Sequence, residues 1–125
     1  MIVEIKELWI KALRSGKFQQ GKEMLAYQDD EVNGGLRYCC LGVLCHLYNR
    51  EKKKGWENLH IDGDEILPTK VALWAGLTSQ NPDVVHAKHK ATLSTFNDGM
   101  AYVDDNTPIK QLNFNEIADL IEAQL

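Results

Sequence analysis

Three thiols within seven residues, Cys39, Cys40 and Cys45, with His46 beside the last, are the densest group of metal-ligand residue types in the sequence. Their spacing argues against a zinc site. A structural zinc draws four ligands onto a tetrahedron from separated pairs, whereas adjacent cysteines point apart and Cys40 and Cys45 do not share a helical face. The surrounding residues also match no known nucleophilic-cysteine signature. These thiols are therefore expected in the core, where unpaired cysteine is common.

A second group, His86, Lys88 and His89, offers donors to an anion. Three residues apart, the two histidines would share a face if they lay on a helix, but they are expected as surface residues, with ligand contact as the alternative. No His-Glu-x-x-His pattern accompanies them, so a metalloenzyme reading lacks its second half. Phe96, Asn97, Asp98 and Gly99 combine a ring, an amide able to read a base edge, a carboxylate able to hold ribose hydroxyls, and a glycine. The competing reading is a helix C-terminus with Asn, Asp and Gly as stop residues and Phe96 in the core. Arg37, on an expected strand, is the candidate phosphate clamp if it faces a cleft, and an exposed strand charge otherwise. The Lys52, Lys53, Lys54 run reads as a solvated helix end that complements the helix dipole.

Phosphate-loop, dinucleotide-binding and nucleophile-elbow fingerprints are missing, so a non-enzymatic protein without a cofactor is expected. The chain has 125 residues, 44% hydrophobic and 26% charged, the balance of one globular domain spanning 1–125. Its net charge of −4 disfavours DNA as a partner but leaves open an anionic small molecule held by a few local bases. An odd cysteine count fits a reducing cytoplasm. The opening residues lack the pattern of a signal peptide, and no apolar run approaches a membrane span, so no membrane partner is expected.

The elements that must position these groups follow from periodicity. Ile5, Leu8, Trp9, Ala12 and Leu13 form one stripe of an N-terminal helix ending near Arg14, with Gly16 as its stop. The turn residues Asp29, Asp30, Asn33, Gly34 and Gly35 separate two short segments, Lys17 to Tyr27 and Leu36 to Cys39, which read as a β-hairpin with Gly21 as a candidate bulge. Cys40 to Lys53 returns to helical spacing, with Leu41, Leu44, Cys45 and Tyr48 on one face. Gly42 marks a close backbone approach, and Gly55 is the stop. A short strand is a candidate at Leu59 to Ile61. Pro68 opens a helix that ends at Gly76, and Asn81-Pro82 signals a turn. A brief helix runs from Thr92 to Asp98, and Asp104 to Pro108 is a polar connection. Asn113 and Glu116 form a capping pair for a final helix carrying Phe114, Ile117, Ala118, Ile121 and Leu125. The expected fold is thus a small α+β domain, with about four to five helices and a short antiparallel hairpin or small sheet.

Taken together, the stretches WIKALRSG (Trp9 to Gly16), YCCLGVLC (Tyr38 to Cys45), WAGL (Trp74 to Leu77), Phe96 to Gly99 and IADLIE (Ile117 to Glu122) resemble a family of small proteins frequent in bacteriophages. The sequence is similar to the first family of Thoeris anti-defence proteins, called sponges. That resemblance implies a protein in the host cell cytoplasm that binds a cyclic ADP-ribose isomer or another cyclic nucleotide without cleaving it. In some members cyclic oligonucleotides bind at separate sites, and the proteins assemble as homo-oligomers, dimers or higher. In such a protein Phe96 would stack or pack, Asn97 and Asp98 would meet base edge and ribose, Arg37 and Lys88 would hold the pyrophosphate, and His86 would be a further contact. The alternative is a small phage protein-binding module that inhibits a host protein, in keeping with the acidic charge.

Overall fold

The computed structural model describes residues 1–32, 35–52, 65–100 and 108–125. Among them the order is α1 (Val3–Arg14), β1 (Gln19–Gln20), β2 (Ala26–Gln28), β3 (Leu36–Tyr38), α2 (Cys40–Lys52), α3 (Thr69–Ala75), β4 (Asp83–His86), β5 (His89–Thr92), α4 (Leu93–Asp98) and α5 (Phe114–Gln124). The fold is α+β. The stretch expected to hold a strand at Leu59 to Ile61, the stop at Gly55 and most of the Asp104 to Pro108 connection lie outside the described residues.

Helix α2 is the centre. Of Cys40 to Asn49 every residue is buried except His46, so this helix is covered nearly all round rather than along one stripe. Its start is specified locally by YCCLG. Tyr38 ends β3, Cys39 lies just before the helix with its Sγ accepting the Gly42 N–H at 3.4 Å, and the Cys39 N–H donates to the Leu25 carbonyl. That same Leu25 carbonyl occupies the place a Cβ on Gly42 would need. The close approach expected at Gly42 is present, and only glycine permits it.

Helix α1 packs against α5 and α2. Its buried residues are Ile5, Trp9, Ile10 and Leu13, whereas Leu8 is 44% exposed. The expected stripe is thus rotated by one position, because two neighbours rather than one cover the helix. The Trp9 indole Nε1 donates to the Cys40 carbonyl at 2.9 Å, joining α1 to the first turn of α2. Helix α5 starts with the expected reciprocal cap: Asn113 accepts from the Glu116 N–H and Glu116 accepts from the Asn113 N–H.

The first sheet is more than a hairpin. Strand β3 pairs antiparallel with β2 and also parallel with β1, with Gln19 opposite Arg37 and Gln20 opposite Tyr38. Gly21, expected at a bulge, instead ends β1, its N–H donating to the Tyr38 carbonyl at 2.7 Å. The second sheet pairs β4 with β5 and places His86 and His89 on a hairpin rather than on one helical face. They sit opposite each other at the end of an antiparallel hairpin. Ala87 and Lys88 turn the chain with φ of 49° and 73°. A two-residue turn with both residues left-handed matches strand twist, but Asn and Gly are its usual occupants, so the sequence signal is weak here. The Gln124 amide seals the outer edge of β4, accepting from the Val85 N–H at 2.7 Å and donating to the Val85 carbonyl at 2.8 Å.

Gly42→Ala is expected to destabilise the protein by about 2 kcal/mol or more, because a methyl group must displace backbone rather than a side chain. Urea unfolding of the variant checks this.

Candidate functional site

The residues expected to bind ligand are placed by the structure mostly in service of the fold. Asn97 is fully buried. Its Oδ1 accepts from Gln20 Nε2 at 3.0 Å and from the Cys40 N–H at 3.1 Å. Its Nδ2 donates to the Gly21 carbonyl at 2.8 Å and to Asp98 Oδ1 at 2.9 Å. With two bonds accepted and two donated, the amide has no capacity left to read a base edge. Phe96 is 1% exposed, so it packs in the core and offers no face for stacking. The geometry corrects both assignments in favour of the competing helix-end reading. Asp98 is half-buried, and its Oδ1 also accepts the Glu23 N–H at 3.1 Å.

Arg37 is likewise engaged. Its Nε donates to Asp29 Oδ2 at 2.6 Å and its Nη1 to the Gln20 carbonyl at 3.0 Å. The guanidinium holds the Asp29 carboxyl below its ordinary range, and the carboxylate holds Arg37 above its own. A phosphate would have to compete with that pairing. His86 packs edge-on against Phe96, ring centroids 5.9 Å apart, and Lys88 is exposed in the hairpin turn. The structure therefore brings Asn97, Asp98 and Arg37 to the Gln20–Glu23 segment, and His86 to Phe96, with most of their polar atoms turned toward protein.

The thiols are core groups, as expected. Cys39, Cys40 and Cys45 are buried and form no disulfide. Burial pushes the Cys39 thiol up to about 11 and raises the Cys40 thiol well above its ordinary value, so both remain protonated and poor nucleophiles at neutral pH. Among the described residues no group of three or more His, Cys, Asp or Glu side chains could hold a metal ion.

A different set converges on a cleft of about 310 Å³ lined by Lys17, Phe18, Gln19, Leu36, Tyr38, His46 and Arg50. Three elements build it. The β1–β3 pairing carries Phe18 to Tyr38, and the two-residue alternation of β3 turns Leu36 and Tyr38 to the cleft while Arg37 goes to the other face. Helix α2 supplies His46 and Arg50, one turn apart, where its otherwise buried surface emerges. Phe18, Tyr38 and His46 form an edge-to-face trio, with centroids 5.2 Å (Phe18–Tyr38), 5.0 Å (Phe18–His46) and 5.9 Å (Tyr38–His46) apart. Lys17 and Arg50 flank the rings, no carboxylate lines the cleft, and neither cation is ion-paired among the described residues. Burial raises the Tyr38 phenol above its ordinary value, leaving it a hydrogen-bond donor. Burial, and then the Arg50 charge, hold the His46 imidazole below its own.

Rings and unpaired cations in one cleft suit an anion that also carries a planar or apolar part. In the sequence His46 stands out only as a zinc-ligand type, and Lys17, Phe18, Tyr38 and Arg50 belong to no recognisable ligand-binding motif. The His46–Arg50 spacing was readable, whereas the parallel β1–β3 pairing that brings Phe18 to them is non-local.

The fold and cleft define a small α+β domain with a cationic, ring-lined surface site. The chain belongs to the family described as Domain of unknown function (DUF8296), whose model matches residues 1–125. Comparison with curated proteins and with solved structures finds no match. No helix among the described residues is long and apolar enough to cross a membrane.

Two predictions follow from these placements. Asn97→Ala strips partners from buried groups on three segments, so it is expected to cost about 3 kcal/mol or more. That corresponds to a fall in Tm on the order of 10 °C, read by calorimetry. For His46, the folded protein takes up a proton at lower pH than the unfolded chain. Its neutral form therefore imposes no penalty above about pH 6.5, and stability declines as pH falls below that value. Asp29, whose pKa is lowered from 3.8, acts only in a more acidic window. Between pH 7 and 5.5 His46→Gln should flatten the decline of Tm; an unchanged slope would contradict this placement.

Proposed function

We propose that the protein is a phage anti-defence sponge. It captures a cyclic ADP-ribose-type signalling nucleotide in the host cytoplasm and holds it without cleaving it. The observation that carries the reading is the pair Lys17 and Arg50 flanking the Phe18–Tyr38–His46 rings, a local cationic site on a chain of net charge −4. Phosphate oxygens suit the two cations and an adenine suits the partly exposed Phe18 and His46 rings, and nanomolar capture requires about −12 kcal/mol from such contacts. The sequence resemblance supplies the nucleotide class, and the cleft supplies the chemistry to hold it. Homo-oligomerisation belongs to the same proposal, because a second subunit would enclose a ligand that one shallow cleft leaves partly in water.

The second reading, a module that inhibits a host protein, is in keeping with the net charge of −4. A stoichiometric host partner in a pull-down, with no nucleotide-dependent stabilisation, would support it over the sponge.

The test is to incubate the protein with a cyclic ADP-ribose isomer. The ligand should leave solution and return intact after heat denaturation; a cleaved product would make the protein an enzyme. Lys17→Ala and Arg50→Ala are each expected to weaken capture by about ten- to a hundredfold, as loss of a charge-assisted contact implies. Isothermal calorimetry measures both, and unchanged affinity in both variants would place the ligand elsewhere.

A further inference from the structure

The cleft that Lys17 and Arg50 flank contains one group whose charge changes in the neutral range. Lys17 and Arg50 keep their charges there, and burial keeps the Tyr38 phenol protonated. His46 is the exception, because an imidazole titrates between about pH 5 and 8. Its ring is part of the lining, packed edge-to-face on Phe18 at 5.0 Å and on Tyr38 at 5.9 Å.

The titratable and charged groups around that ring come from three segments. On α2 itself Arg50 stands one turn further along, and its charge opposes a proton on the imidazole. The segment leading into β1 brings Lys17, a second cation in the same lining. Strand β3 brings Tyr38, which stays neutral, and turns Arg37 to its other face, where Arg37 pairs with Asp29 at 2.6 Å. Helices α1, α3 and α4 also pack against α2, yet none of their charged side chains lines the cleft. Asp98 of α4 acts instead on the Cys39 and Cys40 thiols at the start of α2.

Every charge in the lining therefore resists protonation of His46, and burial resists it further. An anion drawn in by Lys17 and Arg50 acts in the opposite sense, because it attracts an imidazolium in the same lining. Whatever the anion adds to the proton affinity of His46, the proton adds to the affinity for the anion. We propose that anion capture in this cleft is coupled to uptake of one proton by His46, so that binding tightens as pH falls through the neutral range. The proposal concerns the regulation of the nucleotide-capture site and rests on that reading. An imidazolium adds N–H donors to those of Lys17 and Arg50, and its attraction grows with the charge on the ligand, so anions of two or more charges gain most.

Sulfate is the probe, since it stays doubly charged across the neutral range and cannot supply a pH dependence of its own. Calorimetry should find sulfate bound about tenfold more tightly at about pH 5.5 than at about pH 7.5, with proton uptake read from the dependence of the heat on the buffer. His46→Gln should bind sulfate with one affinity at both pH values. In the unaltered protein, saturating sulfate should raise the NMR titration midpoint of the His46 ring by about one pH unit, the counterpart of a tenfold coupling. Equal sulfate affinity at the two pH values, or a His46 midpoint that sulfate leaves in place, would overturn the coupling while sparing nucleotide capture. So would a pH dependence that survives in His46→Gln. Failure of sulfate to bind, with capture of a cyclic ADP-ribose isomer intact, would overturn this inference alone; failure of both would overturn the nucleotide-capture reading with it.

Discussion

The side-chain amide of Asn97 holds the architecture together. One group, buried without access to water, accepts from the first N–H of α2 and from Gln20, and donates to the Gly21 carbonyl and Asp98. A helix start leaves its first N–H groups without intrahelical partners, and Asn97 satisfies the one at Cys40 from 57 residues away. Trp9 completes the other half of that residue by donating to its carbonyl. The N-terminus of α2 is thus fixed in rotation and in height by α1 and α4 together. Gln20 extends the same network to the Leu112 carbonyl, just before α5.

From that fixed point the surface site follows. Rotation of α2 decides which of its residues emerges, and only His46 among Cys40 to Asn49 does so, with Arg50 one turn further on. The end of β1 is held at Gly21, so β1 runs in register beside β3 and Phe18 meets Tyr38. The contact of Gly42 with the Leu25 carbonyl brings α2 close against the loop before β2, which keeps Tyr38 and His46 within ring contact. A polar network in the core therefore sets the geometry of rings and charges at the surface.

Much of the fold was legible because its signals are local. Apolar periodicity marks α1 and α5, Asn113 and Glu116 announce a cap, Gly42 announces a close approach, and the dense thiols announce core. The β4–β5 hairpin was not legible, because Ala87 and Lys88 take left-handed conformations without the Asn or Gly that usually signals them. The candidate site was harder still. Asn97 and Phe96 carry residue types suited to a ligand, yet burial and saturation decide their role, and neither is written in the local sequence. Arg37 and Tyr38 are neighbours on one strand with opposite faces, so the register of β3 against β2 and the non-local β1 determines which of them reaches the cleft.

We propose that ligand-binding capacity lies at the Lys17–Phe18–Tyr38–His46–Arg50 cleft and that the Phe96–Asn97–Asp98 segment is structural. An amide NMR titration with a cyclic ADP-ribose isomer tests it most directly. Saturable shifts should concentrate at residues 17–19, 36–38, 46 and 50. Shifts concentrated at His86, Lys88 and Asp98, with Lys17 and Arg50 silent, would contradict it.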